Sequence, residues 1–225
     1  MSIEEIQIIW LTVKVALVST VISLPISIGL GWILARKNIP GKHILEGIIA
    51  LPLVAPPVVT GYLLLLLLGK NGFIGHWLNQ INIELVFNFV ALVIASVVVS
   101  LPLAVRTIRS AFELVDPVYE KASYTLGASK MNTFFRVTLP MALPGVVSGM
   151  ILSFARSLGE FGATITLAGN ISGQTQTISL MVYSNMQIPG NEMVVTRLVA
   201  VSLLISLGAI MASEYLKNKR KYLIK

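Results

Sequence analysis

Five apolar stretches, residues 8–35, 45–69, 85–105, 141–168 and 198–216, are each long enough to cross a lipid bilayer, whose hydrocarbon core takes about 20 residues of helix to span. Nothing in that core can hydrogen-bond an exposed backbone, so only helices or closed barrels can cross it. Barrel strands would alternate polar and apolar side chains, and these stretches do not. Charged residues make up 12% of the 225 residues, about half the share usual in soluble domains. The expected fold is therefore all-α, a polytopic membrane bundle of five transmembrane helices forming one domain over residues 1–225.

Lys and Arg set the expected orientation, because cytoplasmic loops retain them. With five spans, Arg36, Lys37 and Lys42 fall on one side together with Arg106, Arg109, Lys121, Lys130 and Arg136. Lys217, Lys219, Arg220, Lys221 and Lys225 join them there. The N-terminus, with Glu4 and Glu5, and the loops at 70–84 and 169–197 lie opposite. This predicts the N-terminus outside and the C-terminus in the cytoplasm. The net charge of +7 then follows from topology and contact with anionic membrane lipid, with no need of a nucleic acid partner. The acidic start, MSIEEIQ, lacks the basic leader of a cleavable signal, so the first span is expected to be retained. Lys14, inside that span, is expected to reach back to the headgroups.

Three segments carry chemistry. Residues 45–69 contain Pro52, Pro56 and Pro57, which a regular helix cannot accommodate. The break needs shelter in protein or a water-filled path, so Pro56 and Pro57 are candidate path residues, with a kinked packing helix as the alternative. The fourth span carries Arg156 and Glu160 four residues apart, at helical spacing on one face. Ionisable groups at membrane depth cost about 2.5–3.5 kcal/mol each and tend to face a bundle interior or aqueous cavity. They are candidates to line or gate a path, with an ion pair that only aids packing as the alternative. Between the third and fourth spans runs a polar, basic segment at about 110–140. Asp116-Pro117 there suits a helix start, and Gly127 supplies a turn between two short helices.

The string EKASYTLGASKMNTFFRVTLP, from Glu120 to Pro140, resembles the EAA loop of ABC-importer permeases. That resemblance assigns Glu120, Lys121, Ala122, Ser123, Gly127, Leu139 and Pro140 to a cytoplasmic coupling loop that docks in a groove of the ATP-hydrolysing subunit. The sequence departs from the pattern at one point: counting back from Gly127, the motif's Glu falls on Lys121, and the acidic group is displaced to Glu120. SFARSLGEFGATITLAGN and the loop after it resemble the oxyanion importers, the molybdate/tungstate and sulfate permeases, and fit the molybdate branch better. The resemblance implies a type I ABC-importer permease fold, a homodimer with a second copy of the chain, two cytoplasmic ABC ATPase subunits and an extracytoplasmic oxyanion-binding protein.

There is no GxxxxGK[ST] phosphate loop, so the ATPase must be a separate subunit. GxSxG and HExxH are missing too, and no enzyme activity or cofactor is expected. With no cysteine, and His43 and His76 in loops on opposite sides, neither a disulfide nor a His-based metal site is expected. Two alternatives stay open: a sulfate or thiosulfate permease, and a proton-coupled secondary carrier using Glu160 as its proton site. The lack of an internal repeat weighs against the carrier.

Overall fold

A computed structural model describes the backbone of residues 1–37 and 39–221 and side chains through residue 211. The basic residues of the C-terminal tail, from Lys217 on, therefore lie outside the described side chains. All regular elements among the described residues are helical.

Helix α1 (Ile3–Arg36) opens with a capping box, in which the Ser2 hydroxyl accepts from the Glu5 N–H and the Glu5 carboxylate accepts from the Ser2 N–H. Its 34 residues make a rod of about 51 Å, well beyond the core thickness, and Pro25 lies inside it without ending it. Next come α2 (Lys42–Val54), α3 (Pro57–Leu68) and the short α4 (Phe73–Gln80). α5 (Phe89–Glu113) is capped by Asn88, whose side chain accepts from the Ala91 N–H. It starts four residues later than the apolar stretch at 85–105 and runs eight residues past it. The polar segment folds as α6 (Pro117–Thr125) and α7 (Lys130–Thr133), then a π-helical turn, Phe134–Thr138, that leads into α8 (Leu139–Leu158). α9 (Gly162–Leu167), α10 (Ile178–Asn185) and α11 (Glu192–Lys221) complete the chain.

Helices α1, α5 and α8 form the central bundle. Their contact is a seam of hydroxyls: Ser19 donates to Ser157 (3.2 Å), Ser23 and Ser153 are 3.3 Å apart, and Ser153 donates to Ser100 (3.0 Å). Lipid gives apolar faces little reason to separate from it, so small side chains and hydrogen bonds hold membrane helices together. Toward the C-terminal end of α1 and α5, Ile108, Phe112, Val115, Ala142 and Val146 take over, with Trp32 and Phe134 packed against them.

Two of the five expected spans are interrupted. Residues 45–69 form α2 and α3, bent by 113°. Pro52 stays inside α2, and Pro56 and Pro57 make the break, since a helix tends to end at the residue before a proline. Residues 141–168 are not one helix either: α8 stops at Leu158, and α9 begins afresh at Gly162. Among the described residues, four helices are long and apolar enough to cross a membrane, and the bent pair makes a fifth if it counts as one span.

Candidate functional site: a coupling segment and two helix breaks

The polar segment is built as its sequence predicts. Asp116 caps α6, its carboxylate accepting from the Val118 N–H at 2.9 Å, and Pro117 occupies the first turn. Gly127 turns the chain with φ +85, a conformation that costs any residue with a Cβ. The Ser129 hydroxyl then caps α7, and Ser123 and Thr133 join α6 to α7 through a 2.9 Å hydroxyl contact.

Glu120 has a role the sequence did not reveal. Its Oε1 accepts from Arg36 Nε at 3.0 Å and from the Thr138 hydroxyl at 2.9 Å, while Arg36 Nη2 donates to the Val115 carbonyl at 2.6 Å. One carboxylate thus ties α6 to the C-terminal end of α1 and to the base of α8. Lys121, where the family pattern has its Glu, is exposed beside Ala122. The displaced acid is an internal tie. Beside the turn Leu126 is 88% exposed, and Met131 and Phe135 beyond it are exposed as well. Leu139 and Pro140 lie in the first turn of α8. Because the π-helical turn joins α7 to α8, the chain runs as one helical rod over Lys130–Leu158.

Arg156 and Glu160 sit at the far end of that rod, and here the expectation of one helix face needs correction. Glu160 lies past the end of α8, in the break. The ion pair is nonetheless made, Arg156 Nη1 to Glu160 Oε2 at 2.8 Å, with the Glu160 side chain only 2% exposed. Its other oxygen accepts from the Ala163 N–H at 2.8 Å. The acid therefore staples the last turn of α8 to the first turn of α9, satisfying one of the N–H groups orphaned at a helix start. A buried carboxylate needs such partners to stay charged.

The two breaks meet. α9 packs on α3, and the packing leaves no room for side chains at two glycines. A Cβ on Gly162 would lie 2.7 Å from Pro57 Cβ, and one on Gly61 would lie 2.7 Å from Ala163 Cα. Pro57 is thus brought against the segment that Glu160 staples, although the two residues are about a hundred positions apart. Gly61 and Gly162 passed unnoticed in the sequence, where a glycine in an apolar stretch carries no visible signal of close approach.

Membrane helices, two of the apolar segments broken where they touch, and a helix–turn–helix projection with an apolar tip define a transport permease. The chain belongs to the family of binding-protein-dependent transport system inner membrane components, whose model matches residues 27–221. It is 50% identical over 216 residues to the molybdenum transport system permease protein ModB of Haemophilus influenzae, covering 96% of this chain and 94% of that one. With the ModB of Escherichia coli K12 it shares 46% over 213 residues, 94% and 93% of the two chains. Sulfate transport system permease protein CysT of E. coli K12 is 38% identical over 78% of this chain and 65% of its own length. Among solved structures, the MetNI methionine ABC transporter in inward-facing form matches with TM-score 0.75 at 17% identity, over 97% of this chain and 99% of that one. A bacterial ABC transporter importing alginate matches with TM-score 0.76 at 16% identity, over 97% and 80%. The fold is that of type I ABC-importer permeases, and the chain is a permease subunit.

Proposed function

We propose that the chain forms the membrane path of an ATP-driven importer of molybdate or tungstate, as a homodimer served by two cytoplasmic ATPases and an extracytoplasmic binding protein. The identity to two permeases named for molybdenum transport, over almost the full length of each, favours this over sulfate. The N-terminus lies outside, the C-terminus and the coupling segment at about 110–140 lie in the cytoplasm, and residues 1–225 act as one permease domain in the cell membrane.

One observation carries the mechanism: the coupling segment and the Arg156–Glu160 pair are the two ends of a single helical rod, Lys130–Leu158, about 43 Å long. The apolar tip around Gly127, with Ala122 and Ser123 of α6, fits a groove in the ATPase. When ATP draws the two ATPase subunits together, the tips follow and the rods tilt. Each tilt pulls on the Glu160 staple and on the α3–α9 contact at Pro57. A tetrahedral dianion needs attraction without a deep well if it is to leave. An arginine already paired with a carboxylate, beside broken helices whose backbone N–H groups can be offered, meets that need. Arg156, Glu160, Pro56 and Pro57 are the proposed gate.

The test is uptake. Cells lacking the chain should regain molybdate accumulation with the wild-type gene, and molybdate in excess should suppress it far more than sulfate. Accumulation blocked equally by sulfate would favour the sulfate reading. Single cysteines at Asn79 and Ser172 should react with an impermeant thiol reagent in intact cells, and one at Asn132 should not; labelling at Asn132 would overturn the orientation.

A further inference from the structure

The outer end of α1 carries a polar cavity that the transport path does not use. It has a volume of about 470 Å³ and lies between α1 and the loop at 169–177, lined by Glu4, Gln7, Trp10, Lys14, Ser172 and Gln176 among others. Lys14 Nζ stands 4.9 Å from the centroid of the Phe89 ring and forms no salt bridge among the described residues. Gln176 is 8% exposed, and its side-chain oxygen has no hydrogen-bond partner there. A buried polar oxygen without a donor is uncommon in a native fold. Glu4 accepts only a 3.3 Å contact from the Ser172 hydroxyl.

The helix itself measures the depth of this cavity. From Lys14 to Arg36 is twenty-two residues of continuous helix, about 33 Å, close to the thickness of the hydrocarbon core. In the orientation proposed above, on which this inference rests, Arg36 marks the cytoplasmic boundary, so Lys14 lies at the opposite headgroup level, and the first three turns of α1 project beyond it. Trp10, Lys14, Leu17 and Val21 form one stripe at helical spacing, with Trp10, Leu17 and Val21 all exposed. From the headgroup level inward the stripe reads indole, ammonium, then aliphatic surface. An ammonium above aliphatic surface complements a lipid phosphate above its acyl chains, and indoles favour this boundary.

We infer that this cavity is a binding site for one phospholipid of the extracytoplasmic leaflet, an aminophospholipid of the phosphatidylethanolamine type. The Lys14 ammonium, which leans toward the N-terminal end of α1 as helical side chains do, donates to the phosphodiester. The headgroup ammonium donates to the Glu4 carboxylate, which lines the same cavity. The acyl chains lie along Leu17 and Val21. A cation below and an anion above match a zwitterion with its phosphate below its ammonium, and a choline headgroup, without N–H donors, would leave the Glu4 carboxylate without a hydrogen bond from the lipid.

The test is lipid binding by the permease purified in its full transporter assembly, delipidated and titrated with phosphatidylethanolamine or phosphatidylcholine of identical chains, read by native mass spectrometry. The ethanolamine lipid should be retained about tenfold more strongly than the choline lipid. Lys14→Gln should lose that retention, Lys14→Arg should keep it, and Glu4→Gln should erase the preference. Equal retention of both lipids by the wild type, or unchanged retention by Lys14→Gln, would overturn the inference. So would loss of bound lipid on adding millimolar molybdate, which would show that the site takes the free oxyanion. Because Lys14 lies outside the proposed gate, failure here leaves the transport reading untouched.

Discussion

Replacing Glu120 by Ala should release α6 from the bundle while leaving the membrane helices intact. The Arg36 and Glu120 side chains are 15% and 14% exposed, so the pair is largely withdrawn from water. The substitution strips the Arg36 guanidinium of its carboxylate and leaves the Thr138 hydroxyl without its acceptor. A hydrogen bond to a charged group contributes about 1.5–3 kcal/mol. The two bonds share one oxygen, and the residual exposure screens the pair. A net loss of about 2 kcal/mol follows, roughly thirtyfold in the equilibrium between docked and released α6. Limited trypsin cleavage after Lys130 reads that equilibrium directly, because cleavage follows the population of the open form when reclosing is fast. Cleavage should accelerate about thirtyfold in Glu120→Ala, stimulated ATP hydrolysis should fall, and protein level should hold. Lys121→Ala, one residue on and exposed, should leave Lys130 as protected as in the wild type. Unchanged protection and hydrolysis in Glu120→Ala, with a defect in Lys121→Ala, would refute the assignment of the tie to Glu120.

Three further outcomes follow from the same geometry. Gly127→Val must adopt φ +85 with a β-branched side chain, at about 1 kcal/mol or more; the protein should reach the membrane but lose stimulation of its ATPase, as measured by phosphate release. Gly61→Val drives a side chain into the backbone of Ala163, an overpacking worth about 1–3 kcal/mol, and should lower the thermal midpoint of the purified assembly. Arg156→Met alone leaves Glu160 buried and unpaired, at about 3–5 kcal/mol, whereas Arg156→Met with Glu160→Gln removes both charges and is milder. The double variant should therefore be abundant yet fail to accumulate molybdenum, and full uptake by it would reduce the pair to a packing device.

Much of this was legible in the chain because membranes leave few options. Long apolar stretches had to be helices, three prolines within six positions had to break one, and Asp116, Pro117 and Gly127 spelled out a helix–turn–helix by local rules. Less legible was anything that depends on distant partners. Arg156 and Glu160 have i,i+4 spacing, which reads equally well as one helix face or as a staple across a helix end; the small residues Gly159 and Gly162 between and after them were the only hint. The displaced acid at Glu120 looked like a departure from a pattern until Arg36, eighty-four residues earlier, appeared opposite it. The close approach of α3 to α9 was invisible, because a glycine that makes room for a backbone looks the same in sequence as one that does not.

The central claim, an ATP-driven path for molybdate, is tested most directly by reconstituting the permease with its ATPase and binding protein in sealed vesicles and following labelled molybdate. Uptake should require ATP on the coupling-segment side and binding protein on the other, stop when hydrolysis is blocked by vanadate, and persist when a protonophore collapses the pH gradient. Uptake driven by a proton gradient without ATP would contradict the account and restore Glu160 as the proton site of a secondary carrier.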